Sequence, residues 1–154
     1  HGPLSSEAAL LQLIDQVDTA VAHGATLLMG GKRVDRPGSF METTILTDIT
    51  PDNPAFRDEF FGPVVSFYRV ANEDEAIALA NDTDYGLSAC VWSRDADRPV
   101  RVARQLDAGL ISINSWANLT IEFEEGGFKS SGVGRLGGVA SIEEFLEYKQ
   151  ITQN

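Results

Sequence analysis

Apolar positions recur along the chain with two periods, one helical and one alternating. Between Ser6 and His23, Leu10, Leu13, Ile14, Val17 and Val21 follow one another at steps of three and four, which places them on one face of a helix. Ser5 or Ser6 can cap its start, Glu7 suits its first turn and Gly24 its end. Thr26-Leu27-Leu28-Met29 then reads as a short strand stopped by Gly30-Gly31, and Thr43-Thr44-Ile45-Leu46 as a second, stopped near Thr50-Pro51. Val64 to Val70, rich in β-branched and aromatic residues, reads as a third. Asn72, with Glu75 three residues on, starts a helix running to about Ala80. Ser88 to Trp92 is a strand. Asp95 or Asp97 caps a helix through Leu106, closed by Gly109, and Leu110 to Ile113 is a buried strand. Ser115 to Val139 has no period and many glycines, so it reads as a long loop. Ser141 and Glu144 form a capping box for a last helix, and Gln150 to Thr152 suits a final strand.

Strands alternating with helices predict an α/β fold with a mainly parallel sheet flanked by helices. A loop of that length is uncommon unless it carries function, so attention falls on Ser115 to Val139.

Composition narrows the partners. The formal charge of −11 over 154 residues argues against nucleic acid and anionic membranes. No apolar run approaches the roughly 18 to 20 residues that span a bilayer. The first residues carry neither the basic start nor the apolar stretch of a signal peptide, and no initiator Met, so the chain is expected to have been cut from something longer or processed. The single cysteine, Cys90, cannot form an internal disulfide, which suits a reducing, cytoplasmic compartment.

Candidate chemistry sits in two places. In Asp58-Glu59-Phe60-Phe61-Gly62-Pro63-Val64 a turn can present Glu59 to a vicinal diol, and a neighbouring ring can stack on a planar heterocycle. The same pattern also suits a solvated acidic pair followed by core aromatics. Gly126 to Gly138 contains a formal G-x-G-x-x-G from Gly132 to Gly137, but no strand directly precedes it and no helix opens inside it. Its glycines equally suit a backbone that turns sharply and packs tightly. Glu122, Glu124 and Glu125 crowd one loop, where a carboxylate pair could do acid–base work or simply be solvated. His1 and His23 are isolated and Cys90 has no partner at zinc spacing, so no metal site is expected. Cys90, mid-strand between Ala89 and Val91, reads as a small buried hydrophobe.

In this order the motifs resemble the aldehyde dehydrogenase superfamily along nearly the whole chain. Gly24-Ala25-Thr26 to Gly30-Gly31, Thr44-Ile45-Leu46, Asn81 to Ser88 and Asn114 each match a family segment. Glu59-Phe60-Phe61-Gly62-Pro63-Val64 is the most specific match, and Gly126, Gly127, Lys129, Gly132, Gly134 and Arg135 match the family's glycine-rich motif. The resemblance implies that residues 1–148 are the C-terminal portion of the catalytic domain and 149–154 the start of an oligomerisation strand. It implies oxidation of an aldehyde to a carboxylic acid with NAD or NADP, by way of a cysteine thiolate. It implies that Glu59 holds the nicotinamide ribose, that Phe61 contacts the nicotinamide, and that Trp116, Asn118, Leu119 and Glu125 stand near substrate.

The departures are specific. Glu124-Glu125 replaces the family's usual Pro-Phe, and Arg135-Leu136 its Arg-Glu. The nucleophile segment Gly-Gln-x-Cys and the general-base segment Glu-Leu-Gly-Gly do not occur in this sequence. The chain is therefore expected to be a truncated catalytic domain with no catalytic residue of its own, no tightly bound cofactor and no activity alone. A non-catalytic binding or assembly module of the same fold, and an unrelated α/β enzyme using the acidic loop, stay open as alternatives. Cut from the rest of its domain, the chain is expected to expose the face of the first helix bearing Leu10, Leu13 and Val17 and to associate as a homodimer.

Overall fold

The computed structural model describes residues 1–116 and 120–153. The chain divides into two compact units, His1–Arg69 and Val70–Asn154.

The first unit is built on α1 (Glu7–Ala22), capped by the Ser6 hydroxyl, which accepts from the Ala9 amide at 3.1 Å. Three strands follow: β1 (Thr26–Met29), β2 (Thr44–Thr47) and β3 (Val64–Phe67). β2 pairs antiparallel with β1 and parallel with β3. Leu10, Leu13, Val17 and Ala20 of α1 form a core with Leu46 of β2 and with Ala25, Met41, Ile49 and Ala55. The apolar face of α1 is thus covered by its own unit. The expectation that it would be exposed is overturned: the periodicity located the face, and the sheet that buries it lies within the first 69 residues. Two polar groups are buried here and both are satisfied. The Thr44 hydroxyl accepts from Gly31 N at 2.8 Å and donates to Glu42 O at 2.9 Å. Asn53 donates to Ala20 O at 2.9 Å and accepts from Ala55 N at 3.0 Å, tying the end of α1 to a 3-10 turn at Pro54–Phe56. The sheet's other face is open. Leu28, Val65 and Phe67 are 60%, 53% and 60% exposed.

The second unit contains α2 (Glu73–Asn81), β4 (Tyr85–Gly86), β5 (Ser88–Val91), α3 (Arg98–Ala103), β6 (Leu110–Ile113) and β7 (Phe128–Lys129). β5 and β6 pair in parallel, and β4 and β7 antiparallel. Asn72 caps α2 through the Glu75 amide, while the Glu75 carboxylate reaches Ala71 N rather than Asn72 N. Asp95, not Asp97, caps the approach to α3, accepting from the Asp97 and Arg98 amides. Those two bonds hold the Asp95 carboxyl below its usual range. β6 is only partly buried, with Ser112 its buried residue. Cys90 is half-buried rather than enclosed and lines an apolar groove of about 400 Å³ among α2, α3 and β5.

The C-terminal expectations are corrected. Residues Ala140–Phe145 form a 3-10 helix, not an α-helix, and no capping box opens it. Ser141 lies inside it and its hydroxyl donates back to Gly138 O at 3.1 Å. Gln150 to Thr152 carries no strand pairing, and residues 146–153 have no regular structure. Among the described residues no helix is long and apolar enough to cross a membrane. The α/β class holds, with both parallel and antiparallel pairs.

Candidate functional site

Glu59 and Phe61 lie in the first unit, in the turn between the 3-10 segment and β3. α1 sets the place of that turn. Gln16 of α1 donates to the Glu59 carbonyl at 3.3 Å. Gly62 approaches α1 so closely that a Cβ there would run into the Leu13 side chain and meet Leu4 at 3.0 Å. Beyond it, Pro63 O accepts from Thr44 N at 2.8 Å and the chain enters β3. The turn therefore leaves Glu59 exposed and Phe61 79% exposed, at a small cavity of about 180 Å³ lined also by Ala9, Gln12, Leu13 and Gln16. Among the described residues, none pairs with the Glu59 carboxylate. A free carboxylate beside an accessible ring fits a diol and a planar heterocycle. Phe60, by contrast, packs against the core.

The other candidates belong to the second unit. Asn114 has a left-handed backbone, φ 50°, and its amide accepts from Ser93 N at 2.8 Å and donates to Ser93 O at 2.9 Å. It thereby extends the pairing of β5 and β6 by one side chain. Trp116 is 81% exposed. Asn118 and Leu119 lie outside the described residues. Glu125 is half-buried, and its backbone exchanges two 2.8 Å bonds with Leu136. Glu124 is committed structurally: it accepts from Ala140 N at 3.1 Å at the start of the 3-10 helix, and that bond holds its carboxyl below the usual range. Glu122 is exposed.

The two longest motifs of the second unit prove to be one structure. Asn81 to Ser88 and Gly126 to Arg135 meet as β4 and β7, with Tyr85 opposite Lys129 and Gly86 opposite Phe128. Ser131 accepts from Gly86 N at 2.9 Å and Ser130 donates to Asp84 O at 2.9 Å. Arg135 donates to Gly127 O and Gly134 O at 3.3 and 2.6 Å, inside its own loop. The stretch expected as one structureless loop thus contains β7 and the Glu125–Leu136 bridge. The G-x-G-x-x-G at Gly132 to Gly137 opens no α-helix among the described residues; it returns the chain from β7 to that bridge.

Comparison with known proteins accords with this arrangement. The model of the aldehyde dehydrogenase family matches residues 1–151. The chain is 47% identical over 150 residues to a succinate-semialdehyde dehydrogenase [NADP(+)] of Deinococcus radiodurans, which covers 97% of this chain and 31% of that protein. Among solved structures, it superposes on succinic semialdehyde dehydrogenase from Streptococcus pyogenes in complex with NADP+ with a TM-score of 0.88 and 40% identity, covering 93% of this chain and 31% of the other. On betaine aldehyde dehydrogenase from Staphylococcus aureus in complex with NAD+ the TM-score is 0.87 and the identity 38%, covering 94% and 29%. The chain spans about a third of the length of the relatives it matches. With a family match across 151 positions and the specific turn at Glu59 to Val64 in place, the chain belongs to the aldehyde dehydrogenase family.

Proposed function

We propose that this chain forms the nicotinamide-side and substrate-side part of an oxidoreductase that converts an aldehyde to a carboxylic acid with NAD or NADP. The observation that carries this reading is the turn at Glu59 to Gly62, held against α1 so that a carboxylate unpaired among the described residues and an exposed ring face a common cavity. The Glu59 carboxylate would accept from the two ribose hydroxyls, and the Phe61 ring would contact the nicotinamide side of the cofactor. Bound there, the cofactor supplies the hydride acceptor. Trp116 and Glu125 contribute walls of the aldehyde site. Asn114, Gly126, Gly127, Lys129, Gly132, Gly134 and Arg135 hold this part of the fold rather than touch substrate. The unpaired cysteine supports a reducing, cytoplasmic compartment.

The chain alone is expected to bind NAD(P)H weakly and to turn over no aldehyde. Its one thiol, Cys90, sits mid-strand opposite Ser112 and faces the groove between α2 and α3, not a loop that could meet a carbonyl. Fluorescence titration with NADPH and an absorbance assay at 340 nm with a panel of aldehydes check this. Turnover abolished by Cys90→Ser would sink it.

The purified chain is also expected to self-associate. The open sheet face carries Leu28, Val65 and Phe67, and residues 149–154, read as the start of an oligomerisation strand, include an Ile151 that is 83% exposed. Charge repulsion at −11 is screened by salt. Sedimentation at micromolar concentration should show a dimer. A monomer that persists as concentration rises would remove the association from this reading.

A further inference from the structure

Residues 125–136 form a closed loop with a neck and a far end. At the neck, Glu125 and Leu136 exchange backbone bonds of 2.8 Å. The Arg135 guanidinium spans the interior, bonded to Gly127 O and Gly134 O and lying 5.5 Å from the Phe128 ring centroid. The far end is fastened from outside. Lys129 has a left-handed backbone, φ 51°, which a lysine adopts when its surroundings hold it there. Its Nζ donates to Asn81 O at 2.7 Å and to Thr83 O at 3.1 Å, and stands 3.4 Å from Asp107. Asn81 is the last residue of α2, where unpaired carbonyls and the negative end of the helix dipole attract a cation. The Asn81 amide in turn donates to Gln105 O at 2.7 Å and accepts from Asp107 N at 2.9 Å, so one junction joins the end of α2 to the segment after α3.

We propose that Lys129 is the positioning residue of this loop: its ammonium holds the far end against the junction at Asn81 and so fixes where the neck presents Glu125. The significance for substrate rests on Glu125 being a pocket wall, but the fastening itself is a property of this chain. The carbonyl bonds carry it. The Asp107 carboxylate is farther away and its side chain is 56% exposed, so water competes with it.

Amide hydrogen exchange on the chain tests the fastening. Lys129→Met keeps the side-chain length and removes the cation. Exchange at Gly86, Ser130 and Leu136, whose amides bond within or onto the loop, should accelerate roughly tenfold or more, while Leu110 and Asn114, bonded to Leu87 O and Val91 O, keep their rates. Lys129→Arg should restore protection to within about threefold, and Asp107→Asn should change it by less than that. Should methionine prevent folding, Lys129→Gln gives the same readout. Unchanged exchange without the ammonium, acceleration spread equally to Leu110 and Asn114, or an Asp107→Asn chain as open as Lys129→Met would each overturn the assignment. In an enzyme of the relatives' full length that contains this segment, Lys129→Met should raise the KM for aldehyde more than it lowers kcat. An opened loop with unaltered KM would count against Glu125 as a pocket wall and leave the fastening standing.

Discussion

Replacing Gly109 with alanine should cost the second unit about 3 kcal/mol or more. The reason is steric. Gly109 precedes β6 and donates to Gly86 O at 3.0 Å, and a Cβ on it would overlap the backbone carbonyl of Gly126. Gly126 and Gly127 are equally confined: a Cβ on Gly126 would meet Gly134 O at 2.6 Å, and one on Gly127 would meet the Ser131 backbone at 2.6 Å. A Cβ on Gly86 would overlap the Asp107 carbonyl oxygen and meet the Phe128 carbonyl oxygen at 3.3 Å. Here backbone lies on backbone, so no side-chain rotation relieves the clash. None of these four glycines has a positive φ, so the demand is for space and not for a left-handed turn. Gly2, with nothing within 4 Å of its Cβ position, is the control, and Gly2→Ala should leave stability within about 0.5 kcal/mol. Urea denaturation followed by circular dichroism compares the two. A Gly109→Ala chain with the parental midpoint would show that the β6 approach yields more easily than its geometry states.

The apolar period of α1, the cap at Asn72 and the strand at Ser88 were visible because each signal lies within a few residues of what it specifies. The glycines of Gly126 to Gly138 were visible as a motif, but their reason was not. It depends on Gly86 and Gly109, which come close only after folding. For the same reason β4 and β7 leave no local signal: each is two residues long and takes its pairing from a distant partner. Lys129 stands out in the sequence only as part of a motif, and nothing local signals that its amine closes the end of α2. The capping box at Ser141 and Glu144 failed in the other direction. The local signal was present, but the chain enters that helix with the Glu124 carboxylate already on the Ala140 amide. The candidate turn at Glu59 was legible as chemistry. Its exposure depends on Gly62 meeting Leu13, a contact across almost fifty residues that no local pattern encodes.

In an enzyme of parental length, Glu59→Gln should slow hydride transfer by on the order of tenfold to a hundredfold while leaving stability almost unchanged. The side chain is exposed and, among the described residues, unpaired, so the fold gains little from its charge. The turn that carries it is held by other groups: the Glu59 carbonyl by Gln16, and Gly62 by its fit against Leu13. Glutamine keeps the size of the side chain and one acceptor oxygen. It loses the charge and the second acceptor oxygen, and with them the bidentate grip, one oxygen to each hydroxyl of a diol, that fixes a ribose in one orientation. A ribose free to rock displaces the nicotinamide attached to it, and hydride transfer is steep in that displacement. Binding measured at equilibrium should weaken less than the transfer step, because the rest of the cofactor is held elsewhere. Gly62→Val, which pushes the turn away from α1, should reproduce the kinetic defect and also lower stability, by about 1–3 kcal/mol. Single-turnover stopped flow, following NAD(P)H formation, separates the transfer step from product release. A Glu59→Gln enzyme with parental single-turnover rates would remove Glu59 from the cofactor site and with it the observation on which the functional reading stands.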